Sequence, residues 1–131
     1  MDSEAKQRLV EEAYAARAKG DIKKILAAFQ PNGAFQLAGD TNTLNVLGAV
    51  EGHPQLEAVL TGLVKDYEFI KRDILSFTAE GDRAAVHSRL TIRFVPKNKT
   101  FSTELVDLFT FKDGKIASLV EFLDTALIAS L

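Results

Sequence analysis

Leu105-Val-Asp-Leu-Phe-Thr-Phe-Lys-Asp-Gly-Lys-Ile-Ala-Ser-Leu-Val-Glu-Phe-Leu-Asp-Thr-Ala126 reads as two β-strands joined at Asp113-Gly114, with Asp107 and Glu121 set in otherwise apolar runs. Asp-Gly suits the positive φ angles of a two-residue hairpin turn, and the flanking apolar residues supply the strands. The carboxylates are the unusual part. An ionised carboxylate is costly to take out of water, so one set inside a strand is usually paired, protonated or functional. The hairpin therefore points to a pocket.

The period of two extends back from this hairpin to Tyr67. Strands are predicted at roughly Glu68 to Ala79, Arg83 to Val95, Phe101 to Lys112 and Lys115 to Asp124, with turn signals at Gly81-Asp82, Pro96-Lys-Asn98 and Asp113-Gly114. Ahead of Tyr67 the period is helical. Ser3 is placed to cap a helix carrying Leu9, Val10, Ala13 and Tyr14, with Gly20 at its end. Asp21 caps a second helix with the stripe Ile22, Ile25, Leu26 and Phe29, and Pro31 stops it before a brief strand at Ala34 to Ala38. Pro54 opens a third helix whose apolar face is Leu56, Val59, Leu60, Leu63 and Val64. The order α-α-β-α-β-β-β-β defines an α+β domain in which a curved sheet wraps about three N-terminal helices. Asp124 is placed to pair with or cap the last residues of the chain, and residues 126–131 finish the sheet or pack as a tail.

At 131 residues and 47% apolar, the chain suffices for one domain, residues 1–131, with a buried core. Its 18 acids against 16 bases leave no bulk charge to favour nucleic acid or an anionic membrane. Without cysteine there is no disulfide framework, thiolate nucleophile or cysteine-based metal site. Two isolated histidines, no Gly-rich phosphate loop and no Ser-His-Asp motif lead to the expectation of no metal and no cofactor. The charged segment after Met1 and the lack of a long apolar run leave secretion and membrane insertion unsupported, so a cytoplasmic location is expected.

From Arg83, one strand face holds Ala85, His87, Arg89, Thr91 and Arg93, and the other holds Val86, Ser88, Leu90, Ile92 and Phe94. In the next strand both faces are apolar, with Leu105, Phe109 and Phe111 beside Asp107 and with Val106 and Leu108 opposite. Helices on one side leave the second face in water, so a homodimer through the sheet face is expected.

The ordered set Val10-Glu-Glu-Ala-Tyr-Ala-Ala-Arg-Ala-Lys-Gly-Asp21, Ile25-Leu-Ala-Ala-Phe29, Gly52-His-Pro-Gln-Leu-Glu57, Phe109-Thr-Phe-Lys-Asp-Gly-Lys-Ile116 and Glu121-Phe-Leu-Asp-Thr-Ala126 spans nearly the whole chain. It resembles the ketosteroid isomerase-related, SnoaL-like branch of the nuclear transport factor two superfamily. The resemblance implies a cone-shaped, cystatin-like roll and an apolar pocket between helices and concave sheet. It also implies frequent dimers, with activities ranging from isomerase, dehydratase, cyclase and epoxide hydrolase to none. A small apolar or weakly acidic molecule is the partner it implies. Asp107-Leu-Phe-Thr-Phe111 matches the segment that carries the isomerases' oxyanion aspartate. The position of their tyrosine, seven residues before the Gly of Gly-Asp, is Ala13, and Tyr14 lies one residue on, about 100° around the helix. A gapless count to their general base lands on Leu37, with Asp40 three residues further. These departures argue against steroid isomerisation itself.

The same resemblance turns the His87 and Arg89 face toward the pocket and aligns Glu121 with a pocket position. His87, Asp107 and Glu121 are then candidate proton donors or acceptors, and Arg89 a candidate anion holder, with Tyr14, Asp40, Phe35, Leu37 and Phe109 around a ligand. The plainer reading makes His87 an ordinary strand residue, leaves Arg89 and Arg93 solvated, and has Glu121 neutralise Arg89. Lys71-Arg72 and Lys97-Asn98-Lys99 read as a solvated strand edge and turn, and His53 as a cap or loop residue.

Overall fold

The computed structural model describes residues 1–39 and 49–131. Helix α1 (Ser3–Lys19) opens on Asp2, whose side chain accepts from Ala5 N at 2.7 Å, so the cap lies one residue before the expected Ser3. It closes on Gly20, whose φ of 69° is left-handed and whose added Cβ would sit 3.1 Å from Val64 Cγ1. Asp21 caps α2 (Ile22–Ala27) through Lys24 N. Pro54 lies in the first turn of α3 (His53–Asp66), which buries Leu56 and Leu60, one helical turn apart.

Strand β1 (Phe29–Ala38) begins earlier than expected, so Phe29 belongs to it and not to the helix, and Pro31 lies within the strand instead of ahead of it. The β1 register shifts between Phe29 and Ala34, and that irregularity accommodates a residue that cannot donate to a ladder. A two-residue strand β2 (Val50–Glu51) pairs with β1 and has no counterpart in the sequence reading. The long strands β3 (Tyr67–Glu80), β4 (Arg83–Phe94), β5 (Lys99–Lys112) and β6 (Lys115–Phe122) form the expected meander. Asp113 and Gly114 at the last turn both have positive φ, at 51° and 76°.

Over the described residues the sheet is six-stranded, curved and unclosed, in the order β2-β1-β6-β5-β4-β3. Among the described residues, only β1 and β6 pair in parallel. Helices pack on one face, and the core between them includes Val10, Leu56, Val86, Phe109 and Ile116, all at most 2% exposed. The chain end is a short helix, α4 (Thr125–Ala129), capped by Asp124 through Leu127 N; it does not extend the sheet but packs as a helical tail, with Ile128 against the cavity. Among the described residues, no helix is long and apolar enough to cross a membrane.

Candidate functional site

A cavity of about 120 Å³ lies between the helices and the sheet. Phe29, Phe35, Leu37, Phe109 and Leu119 supply much of its apolar wall, and Ile128 of α4 contributes from the chain end. Polar side chains reach it from four elements: Tyr14 and Arg17 on α1, Tyr67 and Arg72 on β3, Thr103 on β5 and Glu121 on β6.

Asp107 sits on the helix-facing side of β5 between Leu105 and Phe109, and it is fully buried. It does not itself line the cavity, although Leu105 and Phe109 on either side of it do. Tyr14 Oη donates to Asp107 Oδ2 at 2.6 Å, and Arg72 Nη1 stands 3.8 Å from the same oxygen. Oδ1 has no hydrogen-bond partner among the described residues. Glu121 is the direct cross-strand neighbour of Asp107. Burial, and then the Glu121 charge, push the Asp107 carboxyl well above the usual carboxylate range, while Tyr14 and Arg72 pull the other way. Burial and the nearby Asp107 raise the Tyr14 phenol, so it keeps its proton at neutral pH.

Two arginines frame this pair. The Arg72 guanidinium lies 3.5 Å from the centre of the Tyr14 ring and donates to Ser88 Oγ at 3.1 Å. Arg17 stacks 3.8 Å from the centre of the Phe69 ring, and its Nη2 donates to the carbonyls of Leu63 at 3.2 Å and Tyr67 at 2.7 Å. Burial pushes Arg17 down to about 10, still cationic at neutral pH.

Tyr14 has reached Asp107 despite its displaced sequence position. Phe35, Leu37, Phe109 and Glu121 line the cavity, and Asp40 lies outside the described residues. His87 and Arg89 are a correction. Val86, Ser88, Leu90 and Ile92 are buried on the helix side of β4, which turns His87 and Arg89 to the opposite face. There His87 Nε2 is 2.7 Å from Glu104 Oε1, and Arg89 Nη2 is 3.9 Å from Glu104 Oε2. Glu104, not Glu121, is therefore the acid beside Arg89.

Arg72 corrects the reading of Lys71-Arg72 as a solvated edge: the register shift between Phe69 and Lys71 leaves Lys71 exposed and pairs Arg72 with the inward Leu90. Arg17 joins the site without standing out in the sequence by residue type, although Val10, Ala13, Tyr14 and Arg17 follow one helical stripe. His53 contacts the Phe29 carbonyl at 3.3 Å. Among the described residues, no three His, Asp or Glu side chains converge as metal ligands would.

A curved, unclosed sheet with helices on its inner face and buried polar groups beside an apolar cavity defines a nuclear transport factor two-like protein. The chain belongs to the SnoaL-like domain family, whose model matches residues 10–119. It is similar to an NTF2-like protein from Burkholderia xenovorans LB400, at 26% identity over 99% of this chain and 97% of that one, with a TM-score of 0.76. It is also similar to TerC co-crystallized with polyporic acid, at 20% identity over 97% of each chain and a TM-score of 0.84. A third similar structure is an LEH-like epoxide hydrolase from M. tuberculosis, at 17% identity over 91% of this chain and 82% of that one, with a TM-score of 0.72. No curated protein matches the chain in sequence.

Proposed function

We propose that the protein binds a small, largely apolar carbonyl or hydroxy compound in this cavity and moves a proton on it without a cofactor, as an isomerase, dehydratase or cyclase does. The 2.6 Å bond between Tyr14 and Asp107, beside a cavity that Glu121 lines, is the observation that carries this reading. When Asp107 is protonated, the bond reverses: the acid donates from Oδ2 to Tyr14 Oη, and the phenolic proton is free for a ligand oxygen. Glu121 takes the proton from the carbon beside the carbonyl, and Tyr14 meets the charge that develops on the oxygen. Glu121 then returns the proton to another carbon, or gives it to a hydroxyl on the next carbon, which departs as water as the double bond forms. Glu121 pairs across the parallel strands with Leu37, so a carboxylate stands one strand away from the position to which the base count led. Asp107 touches no ligand in this scheme and is a positioning residue.

Leu37 itself favours a second reading, a ligand-binding domain without turnover. Deuterium uptake beside the carbonyl of 2-tetralone in D₂O separates the two. Uptake faster than in buffer, followed by NMR, is expected for the enzyme; a bound ketone exchanging at the buffer rate leaves only binding.

Two copies are proposed to associate through the outer sheet face. Leu108 and Phe122 are 41% and 42% exposed there. They pair with Val120 and Val106 across β5 and β6, which makes a continuous apolar surface.

A further inference from the structure

We propose that the ligand is an anion, an apolar compound carrying one carboxylate or similarly acidic group, bound by Arg17 with Arg72 beside it. This rests on the cavity being a ligand site. Arg17 lines the cavity yet forms no ion pair among the described residues. Only its Nη2 is committed, to the carbonyls of Leu63 and Tyr67; Nε and Nη1 have no partner among the described residues. Those nitrogens are not sealed away, because Asp107 Oδ1 is the one sealed side-chain atom without a partner among the described residues.

The charge count points the same way. Arg17 and Arg72 bring two positive charges to the cavity wall, and Glu121 is the one carboxylate on that wall among the described residues. Asp107 adds little negative charge, because burial and Glu121 favour its protonated form. One cation is left without a counter-charge in a mainly apolar enclosure, where a charge-assisted hydrogen bond to an acid is strong. Tyr67 and Thr103 bring hydroxyls to the same wall. The fork of Arg17 is fixed by its two carbonyls and by the Phe69 ring, so it loses little freedom on meeting a ligand.

The test compares 2-naphthoate with 2-naphthamide, an uncharged compound of the same shape, by calorimetric titration at pH 7. Naphthoate is expected to bind about tenfold or more tightly, the scale of a buried charge-assisted hydrogen bond. Arg17→Gln is expected to bring naphthoate to the naphthamide affinity, and Glu121→Gln to tighten naphthoate alone. Naphthamide binding as well as naphthoate overturns the anion assignment and leaves the ligand site standing. Failure of both compounds to bind overturns the site and the assignment together. The wild-type comparison decides the matter even where Arg17→Gln does not fold.

Discussion

Tyr14 on α1 and Asp107 on β5, 93 residues apart in sequence, are joined by a 2.6 Å hydrogen bond that ties the first helix to the centre of the sheet. One oxygen of the carboxyl is thereby satisfied and the other has no partner among the described residues, in a residue with no exposed surface. Such a group is stable there chiefly as a protonated acid.

Tyr14→Phe leaves the Asp107 carboxyl without its one hydrogen-bond partner among the described residues. A loss of about 1–3 kcal/mol in unfolding free energy is expected, the range for stripping a partner from a buried polar group. Urea denaturation measures it, and an unchanged midpoint and slope would mean that the bond contributes nothing to stability.

Because Asp107 holds its proton more tightly folded than unfolded, the native state binds more protons between the ordinary carboxylate value of 3.8 and the raised folded value. Stability from this group therefore falls as pH rises through that window. Asp107→Asn removes the titration. Denaturation curves from pH 4 to 8 are expected to show wild type losing stability relative to the variant as pH rises. Parallel curves would place Asp107 in the ordinary carboxylate range.

His87→Ala tests the corrected placement on the outer sheet face. The His87–Glu104 contact is between side chains 40% and 51% exposed, so its loss is expected to change stability by less than about 1 kcal/mol. Ligand affinity and proton exchange are expected to stay at wild-type levels. A large loss of either would return His87 to the site.

Much of the fold was legible because its signals are local: Asp21 and Asp124 as caps, Gly20 as a helix end, Pro54 as a first turn, Asp113-Gly114 as a hairpin. Strand faces were legible too, where alternation was read directly. Val86, Leu90 and Ile92 mark the buried side of β4, and only the family resemblance, against this alternation, turns His87 inward. Arg72 was hidden because register shifts in β3 break the count of two, and no residue type announces them. The short strand Val50–Glu51 depends on a partner, Ala34 and Phe35, that lies far off in sequence. Asp107 and Glu121 stood out as carboxylates among apolar residues, but only the pairing of β5 with β6 sets them side by side.

Leu108→Glu places a charge in the apolar strip of the outer face. Wild type is expected to elute as a dimer at micromolar concentration with light-scattering detection, and the variant as a folded monomer with an unchanged far-ultraviolet spectrum. A monomeric wild type would remove the proposed interface.

Glu121→Gln in the 2-tetralone exchange assay bears most directly on proton transfer in the cavity. The amide is nearly isosteric, so ketone binding is expected to persist while deuterium uptake falls by about 10²–10⁴-fold, the range for removing a general base. Uptake at the wild-type rate with the ketone still bound would contradict Glu121 as the base.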